Sequence, residues 1–314
     1  MRKIPLSTLG KVALAAIFVG ILGWVPAFGQ ANRTWVSTTG DDANAGSRTE
    51  PCKTFAGAHS RTAAGGEIRA VNKGGFGPIT ITKSITLDGG GSISGILAAG
   101  TNGIVIDAAG GTVSIRNLDV DGDNTGLNGI RIVAANTVNI ENSFVHGFTK
   151  GINIQTGANC RVTIKNTIVR GCFGGPGIGG SVHANPSAGA LVVTIEKCGL
   201  NDSLFGFRAD NGVSAILNGC TLSGNLNNGV VVAAASVASK VIVNGCSVCE
   251  NGACGVVSVG ALSSVRISDN RISNNGTGIS AQKGGILAAF TNNRISDNGT
   301  DADAGTPTSS ISQQ

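Results

Sequence analysis

One pattern recurs eight times between Val113 and Asp297: a hydrophobic residue, one outward residue, a second hydrophobic residue, a turn residue, then an aliphatic followed by polar residues or glycine. The copies read VSIRNLDVDG from Val113, VNIENSFVHG from Val138, VTIKNTIVRG from Val162, VTIEKCGLND from Val193, AILNGCTLSG from Ala215, VIVNGCSVCE from Val241, VRISDNRISN from Val265 and AFTNNRISD from Ala289. Their closing aliphatics, Val120, Val145, Val169, Leu200, Leu222, Val248, Ile272 and Ile295, are 25, 24, 31, 22, 26, 24 and 23 residues apart. A second signal, glycine followed by an apolar residue, keeps step with the first: Gly103-Ile104, Gly129-Ile130, Gly151-Ile152, Gly177-Ile178, Gly206-Phe207, Gly229-Val230, Gly255-Val256 and Gly278-Ile279. Each period therefore holds about three short alternating strands joined by Gly/Asn turns.

A repeat this short excludes propeller blades, which need roughly 40–45 residues, and the sequence lacks the leucine grammar of leucine-rich repeats. Composition agrees. The 49 glycines show no three-residue period, which excludes collagen, and 41% hydrophobic with 13% charged residues excludes a disordered polyelectrolyte. Abundant glycine with sparse charge also argues against a helical bundle. The expectation is an all-β, single-stranded parallel β-helix, each coil stacking about 4.8 Å on the last.

Stacking aligns residues into columns. Val113, Val138, Val162, Val193, Ala215, Val241 and Val265 form one inward column; Ile115, Ile140, Ile164, Ile195, Leu217, Val243, Ile267 and Phe290 form its neighbour. A third runs Leu118, Ser143, Thr167, Cys198, Cys220, Cys246, Asn270 and Asn293, which stacks three cysteines. Asn117, Asn142 and Asn166 form a turn column, where asparagine tolerates the left-handed conformation.

Arg2, Lys3 and Lys11 flank an apolar run from Val12 to Val25, and small residues follow at Ala27, Gly29 and Ala31. That layout reads as a secretory signal peptide over residues 1–31, too short an apolar run to span a bilayer. Its removal lowers the formal net charge from +5 to +2, so the basic balance is no argument for nucleic acid. Export opens an oxidising compartment to the eight cysteines, whose pairing the sequence leaves open: disulfides, or a stacked thiol ladder at Cys198, Cys220 and Cys246.

With these columns the chain resembles the right-handed parallel β-helix of the pectate-lyase-like superfamily over roughly residues 32–300. The segment Trp35-Val36-Ser37-Thr38-Thr39-Gly40-Asp41-Asp42-Ala43-Asn44-Ala45-Gly46, followed by Pro51-Cys52-Lys53-Thr54-Phe55 and Ala58, resembles the entry of many secreted β-helix proteins. The resemblance implies a first strand and short helix capping the solenoid over 32–66, coils over 67–300, and a polar tail at 301–314.

The outward column Asp121, His146, Arg170, Asn201, Ser223, Cys249, Ser273 and Ser296 carries the candidate chemistry. A carboxylate, an imidazole and a guanidinium in adjacent coils suit acid–base work on an acidic sugar, with Lys150 and Arg131 as further participants; equally they suit a solvated charged face. Asp119, Asp121 and Asp123 match the first ligand positions of a calcium loop, although Asn124 and Ile130 stand where its glycine and bidentate glutamate belong. Calcium is the one cofactor the sequence raises. The outward column Arg116, Glu141, Lys165 and Glu196 alternates in sign and reads as a salt-bridge ladder.

No complete enzyme motif of the superfamily is present. Asn124-Thr125-Gly126, Asp41-Asp42 and Val145-His146-Gly147 match polygalacturonase elements only in part, and neither the Trp-x-Asp-His nor the Arg-x-Pro-x-x-Arg element of pectate lyases occurs. The expected function is a secreted β-helix protein that binds polysaccharide or serves structurally in the cell envelope. The alternative is a polysaccharide lyase or glycoside hydrolase acting on an acidic polysaccharide at Asp121, His146 and Arg170. The sequence leaves the oligomeric state open.

Overall fold

The computed structural model describes residues 29–91, 94–174 and 179–312. All but the last three residues of the predicted leader lie outside that range. The chain is a right-handed parallel solenoid of about nine turns. Among the described residues it holds one helix, Phe55–Arg61. Twelve parallel strands stack into one face, opening with Ala31–Val36, Thr62–Ala70, Ile85–Asp88 and Thr112–Arg116 and closing with Ile286–Phe290 and Ser309–Ile311. None of the described helices is long and apolar enough to cross a membrane.

The inward columns are the core. Val113, Val138, Val162, Val193, Ala215, Val241 and Val265 are register partners in successive coils, and all are buried. The neighbouring isoleucine column holds as far as Ile267, each buried side chain contributing about 1.5–3 kcal/mol. Its last member differs from expectation: Ile267 pairs with Ala289, while Phe290 pairs with Ile311 and is only half-buried. The final coil carries one extra corner residue before Asn293, which regains register by accepting the Asn270 N–H at 3.0 Å.

The corner column works as a hydrogen-bond chain between coils. The Leu118 N–H donates to Ser143 Oγ (3.3 Å), Ser143 N–H to Thr167 Oγ1 (3.4 Å), Cys220 N–H to Cys246 Sγ (3.3 Å) and Cys246 N–H to Asn270 Oδ1 (2.9 Å). What the position demands is a small acceptor, which Ser, Thr, Cys and Asn all supply. All eight cysteines are free thiols, so Cys198, Cys220 and Cys246 are a ladder and not a disulfide site. Asn117, Asn142 and Asn166 adopt φ of 58, 47 and 48°, the left-handed turn expected of them.

The 31-residue step is placed differently from the sequence expectation. Gly177-Ile178 lies outside the described residues, and Val182 pairs with Ile152 and Phe207, so Ser181-Val182 occupies the repeat position. The extra residues fall in sequence between strands Ile168–Arg170 and Gly180–Ala184.

The helix plugs the N-terminal end, and the tail extends the C-terminal one. Phe55 and Ala58 are fully buried, as the plug expectation requires, and Phe55 meets Phe76 edge-on at 5.2 Å. Asp42 Oδ1 anchors the helix by accepting from the Lys53 and Thr54 N–H groups (2.8 and 2.9 Å), and Thr54 Oγ1 caps it by accepting from Gly57 N–H at 2.9 Å. The polar tail joins the solenoid: Thr300–Ala302 pairs with the 277–282 strand, and Ser309–Ile311 with Ala288–Phe290. Backbone groups that the last full coil would leave unpaired are met in this way.

Candidate functional site

Two neighbouring columns project outward from the second face. Asp119, Phe144 and Ile168 are register partners, as are Asp121, His146 and Arg170. The predicted trio is therefore brought into line, Arg170 continuing to Asn201. Left-handed Gly147 and Gly171 follow His146 and Arg170 directly and turn the chain there.

His146 Nε2 lies 3.0 Å from Asp119 Oδ1, and Nδ1 lies 3.5 Å from Asp121 Oδ1. Its ring stacks on Phe144 with centroids 4.4 Å apart and planes 25° apart, and the Arg170 guanidinium covers the same Phe144 ring at 5.2 Å. Arg170 is exposed and forms no ion pair with any described residue. Chemically the arrangement is an aromatic and cationic surface backed by two carboxylates.

The carboxylates of the expected calcium loop do not converge. Asp119 and Asp121 both turn to His146, and Asp121 Oδ1 also accepts the Asp123 N–H at 2.8 Å. Among the described residues no group of three His, Cys, Asp or Glu side chains is placed to hold a metal ion. Arg116 keeps its predicted register beside Glu141, but its side chain binds Glu67 (3.0 Å) and Asp88 (3.1 Å) instead, and within that column only Lys165–Glu196 at 2.9 Å bridges as expected.

Lys150 and Arg131 belong to the third face. The outward column there runs Arg131, Asn153, His183, Arg208. His183 Nε2 and Arg208 Nε each lie 2.8 Å from a different oxygen of Asp210. Burial pushes the Asp210 carboxyl up, but the His183 hydrogen bond and the Arg208 charge outweigh it and hold the group below the usual carboxylate range. Lys150 is lowered, first by burial and also by Arg208 and Arg131, against the pull of Asp210. Asn153 Oδ1 and Arg131 Nε are buried without a hydrogen-bond partner. His183 escapes the repeat reading because the insertion before Gly180 shifts its coil, whereas Arg208 and Asp210 follow the correctly placed Gly206-Phe207 and were missed because only the opening pair of that strand was read. The match of Val182–Ala184 to Ile152–Ile154 and Phe207–Ala209 is the signal that recovers them.

Stacked coils, buried aliphatic columns and a capped N-terminus define a right-handed parallel β-helix. The family model described as "Right handed beta helix region" matches residues 102–262 and 151–311, and the chain belongs to that family. The structure is similar to pectate lyase Pel9A, with a TM-score of 0.63 and 13% identity over 88% of this chain and 79% of that one. It is also similar to the A-module of mannuronan C-5 epimerase AlgE4 from Azotobacter vinelandii, at 0.43 and 14% over 79% and 89%. A third similar structure is a GH136 lacto-N-biosidase from Eubacterium ramulus, at 0.46 and 10% over 90% and 67%. At such identities the likeness is one of fold. No curated protein matches the sequence.

Proposed function

We propose that the protein is a secreted, non-catalytic β-helix that binds polysaccharide along the outward columns Asp119–Phe144–Ile168 and Asp121–His146–Arg170. The observation that carries this reading is the exposed Arg170 guanidinium held over the Phe144 ring beside the stacked His146 imidazole. Phe144 offers apolar surface to a sugar ring, Arg170 donates to its oxygens, and the carboxylates accept from hydroxyls. The parallel register sets these side chains along one line, which suits an extended chain. Affinity electrophoresis through gels containing neutral and acidic polysaccharides tests it: at least one gel is expected to retard the protein, with retardation lost in Arg170→Ala. Equal mobility in every gel overturns it.

A second reading, an enzyme eliminating across or hydrolysing an acidic polysaccharide, is favoured by Lys150, whose lowered proton affinity suits a base. Its test is the absorbance of unsaturated product, or new reducing ends, from uronate polysaccharides with and without calcium. Product in either assay replaces the binding reading.

A further inference from the structure

At the N-terminal end the first coils and the loop after the first strand enclose a cleft of about 330 Å³, lined by Arg33, Trp35, Arg48, Arg69, Val71 and Gly91 among others. That volume falls at the lower end of ordinary small-molecule sites, roughly 300–1,000 Å³. Trp35 and Arg69 are register partners on adjacent strands, as are Arg33 and Glu67.

The carboxylates sharing this face are already engaged. Glu67 accepts from Arg33 at 2.8 Å and from Arg116 at 3.0 Å. Asp88, the register partner of Arg69, binds Arg116 at 3.1 Å, and its other oxygen accepts from the Asn117 amide and the Gly90 N–H, both at 2.9 Å. Arg48 and Arg69 consequently form no ion pair with any described residue. Two uncompensated guanidiniums thus share a cleft with an indole.

We propose that this cleft binds an acidic sugar residue, a pyranose bearing a carboxylate or a sulfate ester. The indole supplies a flat apolar platform for the ring, and the guanidinium forks supply paired donors to the oxyanion. The choice of a sugar over other ring-bearing anions rests on the polysaccharide reading above; the anionic character rests on Arg48 and Arg69 alone. The cleft therefore assigns the charge of the saccharide, which the Phe144–Arg170 face leaves unspecified.

In the full chain carrying Trp24→Phe, Trp35 is the single tryptophan, and its emission reports on the cleft. Titration with trigalacturonate in one arm and a sulfated disaccharide in another is expected to change that emission saturably in at least one. The responding arm identifies the oxyanion. Maltotriose and sodium sulfate at matched ionic strength are expected to leave it unchanged. Arg48→Ala/Arg69→Ala is expected to weaken the response at least tenfold with an unaltered melting curve. Should that pair melt early, Arg48→Ala alone, on an exposed loop, is expected to weaken it at least threefold.

Silence in both acidic arms, an equal response to maltotriose or sulfate, or insensitivity to both arginine variants overturns the proposal. Arg170→Ala separates the two sites. If it abolishes retention on polysaccharide while Trp35 stays silent, the cleft proposal falls and the reading of the face stands. If Trp35 responds while Arg170→Ala keeps full retention, the reverse holds.

Discussion

Asp119 Oδ1 stands 3.0 Å from Nε2 of His146 in the next coil, while the imidazole plane is fixed by Phe144 at 4.4 Å. Since the stack as well as the hydrogen bond holds the ring, Asp119→Asn is expected to leave polysaccharide retention within about twofold, whereas Phe144→Ala lowers it about tenfold. Affinity electrophoresis measures both. An enzyme using the pair for proton transfer would instead lose about 10²-fold or more in turnover with Asp119→Asn.

The cysteine column makes a prediction about acceptors. Burial pushes the Cys172 thiol up to about 12, and Cys198 and Cys246 are pushed up by their contacts with Cys220 and by burial. Native protein is therefore expected to leave these thiols unreactive toward Ellman's reagent until unfolded. In the column Cys220 accepts the Cys198 N–H. Cys220→Ser keeps an acceptor, as Ser143 does three coils earlier, and is expected to cost no more than about 1 kcal/mol in urea unfolding. Cys220→Ala strands that N–H and is expected to cost about 1–3 kcal/mol.

Space, not backbone freedom, sets the glycine column. A Cβ on Gly229 would lie 2.6 Å from Val248 Cγ1 and 2.8 Å from the Gly255 carbonyl oxygen. Gly229→Ala is expected to destabilise by about 1–3 kcal/mol or more. Adding Val248→Ala is expected to relieve the side-chain clash but not the carbonyl contact, so rescue in thermal melts should be partial.

Asp210 gives the acid limit. Its carboxyl, facing His183, Arg208 and Lys150, is held below the ordinary value of 3.8. A depressed carboxyl stabilises the fold above that ordinary value, and the contribution is lost as pH falls through the lower folded value. Asp210→Asn is expected to lose about 1–3 kcal/mol at neutral pH and to show a shallower loss than wild type when acidified below about pH 4. Urea unfolding at stepped pH measures the difference; parallel curves would contradict it.

The coils were legible because burial imposes period two along each strand and stacking imposes the repeat between coils, so Val138, Val162 and Val193 announce one another. The alignment of Asp121, His146 and Arg170 followed from the same arithmetic. Insertions were harder to read. Gly177-Ile178 has the composition of the repeat, yet Ser181-Val182 takes its place, because strand pairing and not local likeness decides register. Side-chain choice was hidden as well: Arg116 had Glu141 beside it in its column but reaches Glu67 and Asp88. The cap cleft was invisible for a related reason. Arg48 comes from a loop outside the repeat, so no spacing connects it with Trp35 and Arg69.

Polysaccharide is expected to lie along the Phe144–Arg170 face. Hydroxyl-radical footprinting with and without the polysaccharide that retards the protein reads this side chain by side chain. Severalfold protection of Phe144 and His146 is predicted, with Ile216 and Ile242 on the twelve-stranded face unchanged. Full reactivity of Phe144 and His146 in the complex, or protection confined to Ile216 and Ile242, would contradict it.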